Sequence, residues 1–504
     1  ALLAGGASVN LSREDGATAL LVAAQQGHLA VCRALHGWDA EVDVAMLDGA
    51  TPLVVASQRG HWAVCEALLS WGAAVDLARA DGGAPLFVAA QAGHAAACEV
   101  LIRRGADVNI SVSPGRAVTP LYVAAQEGHL SVLEVMLPWG LSLPREVCWG
   151  PLLIASQKGH EDVCGFLVCR GADVNLVTHD GTSPLYLASQ EGHVDVCQAL
   201  LQMGSSANAA RSCGLTPLLV AAQKGHGPAC ELLLAAGAET NIAVTSGATA
   251  LTIAVERGDV AACTALIAHG ADPNKMGIVA NRASHEALPP LVLAAGLGHL
   301  EVGKLLLAHQ AEVNLASPSG ATALSAATKE SHAKLAELLL DRGADLAQAS
   351  RVLALAWGVG SELAWDEGWA PLHVAAREGN ALLCNLLIKR AADVNAQRRD
   401  GATPLSVCAE AGHLELCVQL IAKRADPDIT VCQKLVAQGV DLDLSHCQRL
   451  AMRTELSKAP AGDGESPNRP GVLAAAALAA RLPRLQATPG KKVGDPMLLF
   501  EMML

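Results

Sequence analysis

Histidine and cysteine recur four residues apart in this chain, a spacing that could serve metal chemistry. The clearest pairs are His28 and Cys32, His61 and Cys65, and His193 and Cys197. Residues four apart share one face of a helix, and imidazole and thiolate are ligands that zinc prefers. A zinc site needs four converging ligands, however, whereas these pairs return at regular intervals. Because packing produces regular recurrence, we expect no metal at these positions.

The cysteine of these pairs belongs to one repeated position. Nine of the fifteen cysteines occupy it: Cys32, Cys65, Cys98, Cys164, Cys197, Cys230, Cys263, Cys384 and Cys417. Adjacent helices pack about 8–10 Å apart, whereas a disulfide needs Cα atoms within about 7 Å. We therefore predict free thiols that pack as small hydrophobic side chains. Free thiols indicate a reducing, intracellular compartment, and we expect the cytoplasm.

The sequence contains no motif typical of an enzyme. It has no glycine-rich phosphate loop with its lysine, no GxSxG nucleophile elbow and no isolated cysteine with histidine and asparagine partners. Acidic residues such as Asp107, Asp173 and Asp393 belong to a recurring turn, where a carboxylate can accept hydrogen bonds from nearby backbone N–H groups. We predict no catalytic residue, no metal and no cofactor.

A repeat determines the elements that position these residues. One phrase, which begins Asp-Gly and is centred on Gly-His, returns twelve times along the chain. Seven of the eleven intervals between the central glycines, counting Ser331 as a substitute, are 33 residues. A fixed period of this size is typical of a solenoid, in which each unit covers the apolar face of its neighbour. Chain length therefore sets the number of repeats.

Each unit carries the signals of two helices. In most units a Thr-Pro-Leu sequence follows Asp-Gly, so that threonine can cap a helix and proline takes its first position. In the unit that starts at Asp48, the pattern predicts a first helix over residues 53–58 that ends at Gly60. The apolar spacing then predicts a second helix over residues 63–70. An extended segment leads to the next unit.

These residues resemble the ankyrin repeat pattern DGxTPLHxAAxxGHxxVVxxLLxxGADVN over roughly residues 1–444. The resemblance implies an all-α ankyrin-repeat solenoid of helix-turn-helix units with β-hairpin-like tips. It also implies that the turn histidine organises backbone hydrogen bonds. One departure is consistent, because the family's histidine after Thr-Pro-Leu survives only as His373. That departure puts into question the inter-repeat hydrogen bonds that the family makes with this side chain.

The resemblance implies protein partners that dock on a concave side, formed by the hairpin tips and the first helices. The position two residues before the turn histidine carries charges that alternate in sign across the central repeats. Its charged candidates for partner contact are Arg59, Glu127, Lys158, Glu191, Lys224 and Arg257, here called the charged row. One place earlier stands a glutamine row, which either binds a peptide or bonds within itself and to solvent: Gln25, Gln58, Gln91, Gln126, Gln157, Gln190 and Gln223.

Aromatic side chains are the second group of candidates. Phe87, Tyr122 and Tyr186 share one first-helix position in a chain that is only 3% aromatic. Aromatic residues dominate the energetics of many protein interfaces, so we consider these three as contact residues. The alternative is that they fill the space left by the missing histidine.

Three insertions interrupt the period, near residues 111–118, 275–289 and 348–369. They fall at hairpin tips, where a loop can project without disturbing the stack, and such loops often carry function. The third contains Trp357, Trp365 and Trp369. It is either a docking segment or a degenerate helix that seals the junction between two stacks.

Composition argues against two classes of partner. The formal net charge is −13 and no run of lysine or arginine is present, which argues against nucleic acid. No apolar stretch reaches the roughly 18–20 residues that a membrane-spanning helix needs, so we expect no membrane insertion. We expect the protein to be a monomer.

Both ends of the chain depart from the repeat. Residues 1–14 align with the end of a repeat, so we expect further sequence upstream of residue 1. Residues 15–428 hold the twelve repeats, and residues 429–459 are expected to form degenerate capping helices. Residues 460–504 are rich in proline, glycine and alanine and are expected to be disordered.

These features predict a non-catalytic scaffold that binds proteins through its concave face and hairpin-tip loops. The first alternative is a targeting or substrate-recruiting arm of a larger enzyme or channel, whose functional domain lies upstream of residue 1. The second is a structural spacer without a specific partner. Fold by itself does not choose among these functions.

Overall fold

A computed structural model of the chain describes residues 8–112, 118–137, 145–245, 247–278, 286–346, 369–398, 400–427 and 431. The described residues form two compact units, of which the first ends at Ala326 and the second begins at Ala327. Both units consist of paired short helices joined by extended loops.

The helices occur in pairs, and odd numbers denote the first helix of each pair. In the first unit they are α1 (Ala19–Gln25), α2 (Leu29–His36), α3 (Pro52–Gln58), α4 (Trp62–Ser70), α5 (Pro85–Gln91), α6 (Ala95–Arg103), α7 (Pro120–Glu127), α8 (Leu130–Met136), α9 (Arg145–Lys158), α10 (Glu161–Cys169), α11 (Pro184–Glu191), α12 (Val194–Gln202), α13 (Pro217–Lys224), α14 (Gly227–Ala235), α15 (Ala250–Arg257), α16 (Val260–Ala268), α17 (Pro290–Leu297) and α18 (Leu300–Ala308). Helix α19 (Ala323–Lys329) contains the boundary between the units. The second unit continues with α20 (Ala333–Asp341), α21 (Pro371–Arg377), α22 (Ala381–Lys389), α23 (Pro404–Ala411) and α24 (Leu414–Ala422). The all-α repeat architecture predicted from sequence is confirmed.

Threonine and serine side chains cap most of the first helices, as the sequence predicts. Thr51 Oγ1 accepts a hydrogen bond from the backbone N–H of Val54 at 3.3 Å, and Ser183 Oγ accepts one from Tyr186 at 3.1 Å. At α15 the bond is reciprocated, because Thr252 Oγ1 accepts from the Thr249 N–H at 2.9 Å. These bonds satisfy N–H groups that have no partner within the helix.

Most first helices lead into a turn glycine in the left-handed conformation. At Gly60 φ is +76°, and a Cβ added there would lie 2.6 Å from the imidazole Nδ1 of His94, in the next repeat. Glycine is therefore required for two reasons, backbone conformation and close approach of the ring. Ser331 takes the same position with φ +61°, and there the next repeat provides the smaller Asn380, whose Nδ2 donates to the Ser331 carbonyl at 3.4 Å.

The core between the helices is thin and consists mainly of leucine, alanine, valine and cysteine. All nine cysteines of the repeated position are buried free thiols, as the sequence predicts. Burial raises the pKa of Cys65 to about 11 and that of Cys98 to about 12. A thiol with such a pKa is protonated and unreactive near neutral pH, so Cys65 and Cys98 act in packing.

A second set of bonds joins the loops of successive repeats. Asn208 Oδ1 accepts from the Glu239 N–H at 2.9 Å, while its Nδ2 donates to the Gly237 carbonyl at 3.4 Å. Asn175 and Asn241 make the equivalent pair of bonds one repeat away on either side. These asparagines therefore join the loops of successive repeats by hydrogen bonds.

The three insertions are described to different extents. In the second, β1 (Gly277–Ile278) pairs antiparallel with β2 (Ala287–Leu288), which gives the expected hairpin-like tip. Residues 113–117 of the first and 347–368 of the third lie outside the described residues, as do residues 1–7, most of 429–459 and all of 460–504. Trp357 and Trp365 are therefore also outside them.

The strained turn at Ser331 yields a stability prediction. Ser331 has a left-handed backbone conformation, which costs a residue with a Cβ atom about 1–2 kcal/mol, and glycine does not pay this cost. Part of the gain is lost because glycine gives the unfolded chain more conformational entropy. We expect Ser331→Gly to raise the free energy of unfolding by about 0.5–1 kcal/mol, measured by urea denaturation followed by circular dichroism.

The reciprocal change one repeat later is the control. Gly379 has φ +70°, and a Cβ there would lie 2.7 Å from the ring of His413, so Gly379→Ser should destabilise the protein. A Ser331→Gly variant no more stable than the wild type would contradict the interpretation.

Candidate protein-binding surface

Seven turn histidines attach their repeat to the preceding first helix. His61 Nε2 donates to the carbonyl oxygen of Gln25 at 3.1 Å, and His193 Nε2 donates to that of Gln157 at 3.0 Å. The same bond recurs at His129, His160, His226, His299 and His413. Five of these carbonyls belong to the glutamine row, so these bonds fix the backbone from which most of the row projects.

The charged row lies along this fixed backbone. Glu127, Lys158, Glu191, Lys224 and Arg257 are the last residues of α7, α9, α11, α13 and α15, and Arg59 follows the last residue of α3. All six side chains are exposed. The structure therefore places the sequence-predicted charged candidates at equivalent positions of first-unit repeats, where solvent and a partner can reach them.

Arg257 has a structural contact in addition to its exposure. Its Nη1 donates to the Gln223 carbonyl at 3.1 Å, the type of acceptor that a turn histidine takes in other repeats. In this repeat Asp259 replaces the histidine, and its carboxylate instead accepts from the Ala262 N–H and caps α16. Arg257 thus substitutes for the missing imidazole, a role that sequence analysis did not assign.

Two members of the glutamine row bond to the glutamate that follows them in the chain. The Gln126 Nε2 donates to Glu127 Oε1 at 2.9 Å, and Gln190 Nε2 donates to Glu191 Oε1 at 2.8 Å. Across the described ranges, no hydrogen bond joins one glutamine side chain of the row to another. Each of these two amides therefore orients the glutamate beside it.

The aromatic candidates are mostly enclosed. Tyr186 is 2% exposed and Phe87 is 8% exposed, whereas Tyr122 is half-buried. The Arg211 guanidinium of the next repeat lies over the Tyr186 ring, 5.2 Å from its centroid, and also pairs with Asp180. This burial favours the packing alternative, because a partner cannot reach the rings of Phe87 and Tyr186 without displacing neighbouring repeats.

Trp369, in the second unit, is also enclosed. It is 7% exposed, and the guanidinium groups of Arg398 and Arg377 lie 4.3 and 5.7 Å from the centroid of its ring system. The ring of His373 meets it edge to face, with centroids 6.1 Å apart. Trp369 therefore packs between its own repeat and the next, in a buried cluster with Val374 and Val407.

His373 makes the inter-repeat bond that the family resemblance implies for its position. Its Nδ1 accepts from the Ala370 N–H at 3.1 Å, so the proton is on Nε2, which donates to the Ala402 carbonyl at 3.1 Å. Burial lowers the pKa of this imidazole below its usual value. The neutral ring therefore both caps α21 and links two repeats.

The histidine and cysteine pairs do not converge. His61 faces a backbone carbonyl of the preceding repeat, while Cys65 Sγ lies 3.5 Å from Ser57 Oγ within its own repeat. Within the described ranges, no group of three His, Cys, Asp or Glu side chains is placed to hold a metal ion. Among the same residues, no helix combines the length and apolarity needed to cross a membrane.

Tip arginines are the structural residues that sequence analysis missed. Arg79, Arg211 and Arg398 occupy the same repeat position, and each pairs with an aspartate: Asp81, Asp180 and Asp400. Arg211 and Arg398 additionally cover an aromatic ring. Because these arginines share one repeat position, their recurrence in the sequence could have indicated a structural role.

Paired helices, left-handed turn glycines and inter-repeat histidine bonds define a helical-repeat protein with a charged surface row. A family model described as ankyrin repeats, in three copies, matches residues 1–79, 72–147, 141–211, 203–277, 278–350 and 352–431. The chain belongs to the ankyrin repeat family. A search of curated proteins finds no match. Ankyrin repeats are generally protein-interaction modules and are typically non-catalytic.

The burial of Tyr186 predicts a loss of stability on truncation. Tyr186→Ala should lower the free energy of unfolding by about 3–5 kcal/mol, because it leaves a cavity beneath Arg211. Tyr186→Phe keeps the ring and loses only the contact between its hydroxyl and Arg211, so it should cost about 1 kcal/mol. Urea denaturation followed by circular dichroism measures both. A Tyr186→Ala variant with wild-type stability would show that the ring is a surface contact residue instead.

The buried His373 predicts a pH dependence of stability in the second unit. Because its folded pKa is lowered, the unfolded state binds more protons below the unfolded value of about 6.5, and stability falls as the pH drops from there toward the folded pKa. His373→Ser copies the hydroxyl found at Ser325 and Ser406 and removes this titration. We expect the difference in urea midpoint between wild type and variant to shrink from pH 7.5 to pH 5. A constant difference would refute the assignment.

Proposed function

We propose that this protein is a non-catalytic scaffold that binds one or more proteins along the charged row and the adjoining concave face of its first unit. The observation that carries the proposal is the exposure of all six members of the row at equivalent positions. We take residues 15–428 as the repeats of this scaffold.

Rigidity of the base supports binding at this surface. The charged row follows first helices whose last-turn carbonyls accept hydrogen bonds from the next repeat, as in the bond from His193 to Gln157. A surface that is already ordered loses little conformational entropy on association, so more of the contact energy appears as affinity. Long exposed side chains on such a base can also choose a partner by charge.

The side chains with catalytic chemistry are occupied elsewhere. Turn histidines such as His226 donate to backbone carbonyls, and most of the buried thiols have raised pKa values, as at Cys230, where burial raises the pKa to about 12. Neither group is set up as a nucleophile or a general base. The charged row mixes both signs, which does not suit a polyphosphate backbone.

Unpaired thiols support a reducing compartment for this scaffold. Besides the ten buried free cysteines, which include Cys408, two described cysteines are exposed and free: Cys169 and Cys213. Exposed thiols persist where glutathione and thioredoxin keep them reduced. We therefore place the protein in the cytoplasm, acting as a monomer.

Substitution of the charged row tests the proposal. In one variant of the full chain, Glu127, Lys158, Glu191 and Lys224 are changed to alanine together. In a matched variant, Arg33, Arg103, Glu134 and Glu231, which are exposed on second helices, are changed to alanine. Each variant removes two positive and two negative charges, so the net charge is unchanged.

Quantitative affinity capture followed by mass spectrometry compares the two variants with the wild type. We expect a set of captured proteins to fall by at least about tenfold with the row variant, which corresponds to about 1.4 kcal/mol, and to persist with the second-helix variant. Circular dichroism should show both variants folded. Capture of the same proteins by both variants would refute binding along the row.

A further inference from the structure

The four central members of the charged row form a regular alternation of charge. Glu127, Lys158, Glu191 and Lys224 end four successive first helices and carry negative, positive, negative and positive charge in that order. In the described parts of the chain, no ion pair engages any of the four side chains. Their charges are therefore available to a ligand.

The distance between repeats keeps these charges from neutralising each other. Packed helices lie about 8–10 Å apart, a separation comparable with the Debye length of about 8–10 Å in physiological salt. Gln126 and Gln190 orient the two glutamates by hydrogen bonds of 2.9 and 2.8 Å. The surface consequently presents opposite charges on successive first helices, about one helix spacing apart, with the two glutamates held in place.

A bound peptide could match the spacing between these first helices if its charged side chains at that spacing all faced the protein. One backbone conformation meets this condition. A polyproline II helix rises about 3.1 Å per residue with three residues per turn, so every third side chain faces the same way at about 9.3 Å. In a β-strand three residues span a similar length, but the third side chain points to the opposite face. The spacing of the charged row thus favours a polyproline II segment over a strand.

The neighbouring amides also favour this conformation over an α-helix. In an α-helix, residues seven apart share a face at about 10.5 Å, but the backbone groups already bond within the helix. A polyproline II segment leaves its N–H and C=O groups without internal bonds. Among the described residues, the side-chain amides of Gln157 and Gln223 have no partner within the fold, so they can bond to such a backbone.

We infer that Glu127, Lys158, Glu191 and Lys224 bind an extended polyproline II segment of a partner protein that carries basic, acidic, basic and acidic residues at every third position. This inference rests on the proposed function and specifies the partner's chemistry. The run of available charges ends on both sides. In the preceding repeat Ala92 stands in place of a charged residue, and in the following repeat Arg257 donates a hydrogen bond to the Gln223 carbonyl.

Labelled peptides and the full chain provide the test, with fluorescence anisotropy at low salt as the measurement. The probe PKPPEPPKPPEP places alternating charges at every third residue, and proline keeps it in the polyproline II conformation. One comparison peptide has the same composition with the charges at every second residue. A second carries glutamate at all four charged positions, and a third is an α-helical peptide with alternating charges seven residues apart.

Charge reversal then changes the order of charges along the row without altering any buried residue. Glu127→Lys combined with Glu191→Lys makes all four positions basic, so the alternating probe should bind about tenfold more weakly and the all-glutamate peptide about tenfold more tightly. Glu134→Lys combined with Glu231→Lys alters net charge equally on the second helices and should change neither affinity by more than about twofold. The reciprocal Lys158→Glu and Lys224→Glu variant should prefer an all-lysine peptide.

The outcomes separate this inference from the proposed function. Tighter binding of the alternating probe than of every comparison peptide, with the expected switch in the row variant alone, supports the inference. Equal binding of the second-residue peptide, tighter binding of the helical peptide, or an equal effect of the second-helix variant overturns it. If the alanine row variant still loses captured proteins in that case, the proposed function stands and only the register fails.

Discussion

The contact between a turn histidine and the preceding turn glycine is the constraint on which the array depends. The ring of His94 lies so close to Gly60 that a Cβ could not fit, and equivalent rings donate to the carbonyls of the preceding first helix. Departures from the pattern are compensated locally. Where Asp259 replaces the histidine, Arg257 reaches the carbonyl, and where Ser331 replaces the glycine, the smaller Asn380 faces it.

The position of the charged row is a geometric consequence of this contact. Where the next repeat holds the last turn of a first helix, the charged residue at that turn projects from an equivalent position in successive repeats. Only their chemistry remains free to vary, which is why the position holds glutamate in one repeat and lysine in the next. The thin core of leucine, alanine and buried cysteine permits the close helix packing that keeps this interval short.

Cation–aromatic contacts provide a second link between neighbouring segments. Arg211 covers Tyr186 and pairs with Asp180 in the first unit, and Arg398 covers Trp369 in the second. Several of the few aromatic side chains of this protein therefore stabilise the fold by packing beneath arginines of the inter-repeat loops. In the function that we propose, partner recognition rests on charge and amide groups, whose affinity is modest per contact but whose spacing gives specificity.

The sequence alone determined the repeat, the helix positions, the threonine caps, the left-handed glycines and the burial of the cysteines, because these features are local or strictly periodic. It could not determine whether Phe87, Tyr186 and Trp369 are exposed or buried. The loop of the next repeat decides whether such an aromatic ring is covered. The structural role of Arg257 likewise depends on a carbonyl in the preceding repeat. Tertiary structure decided these points because each depends on the distance between groups from different repeats, which no spacing within one repeat specifies.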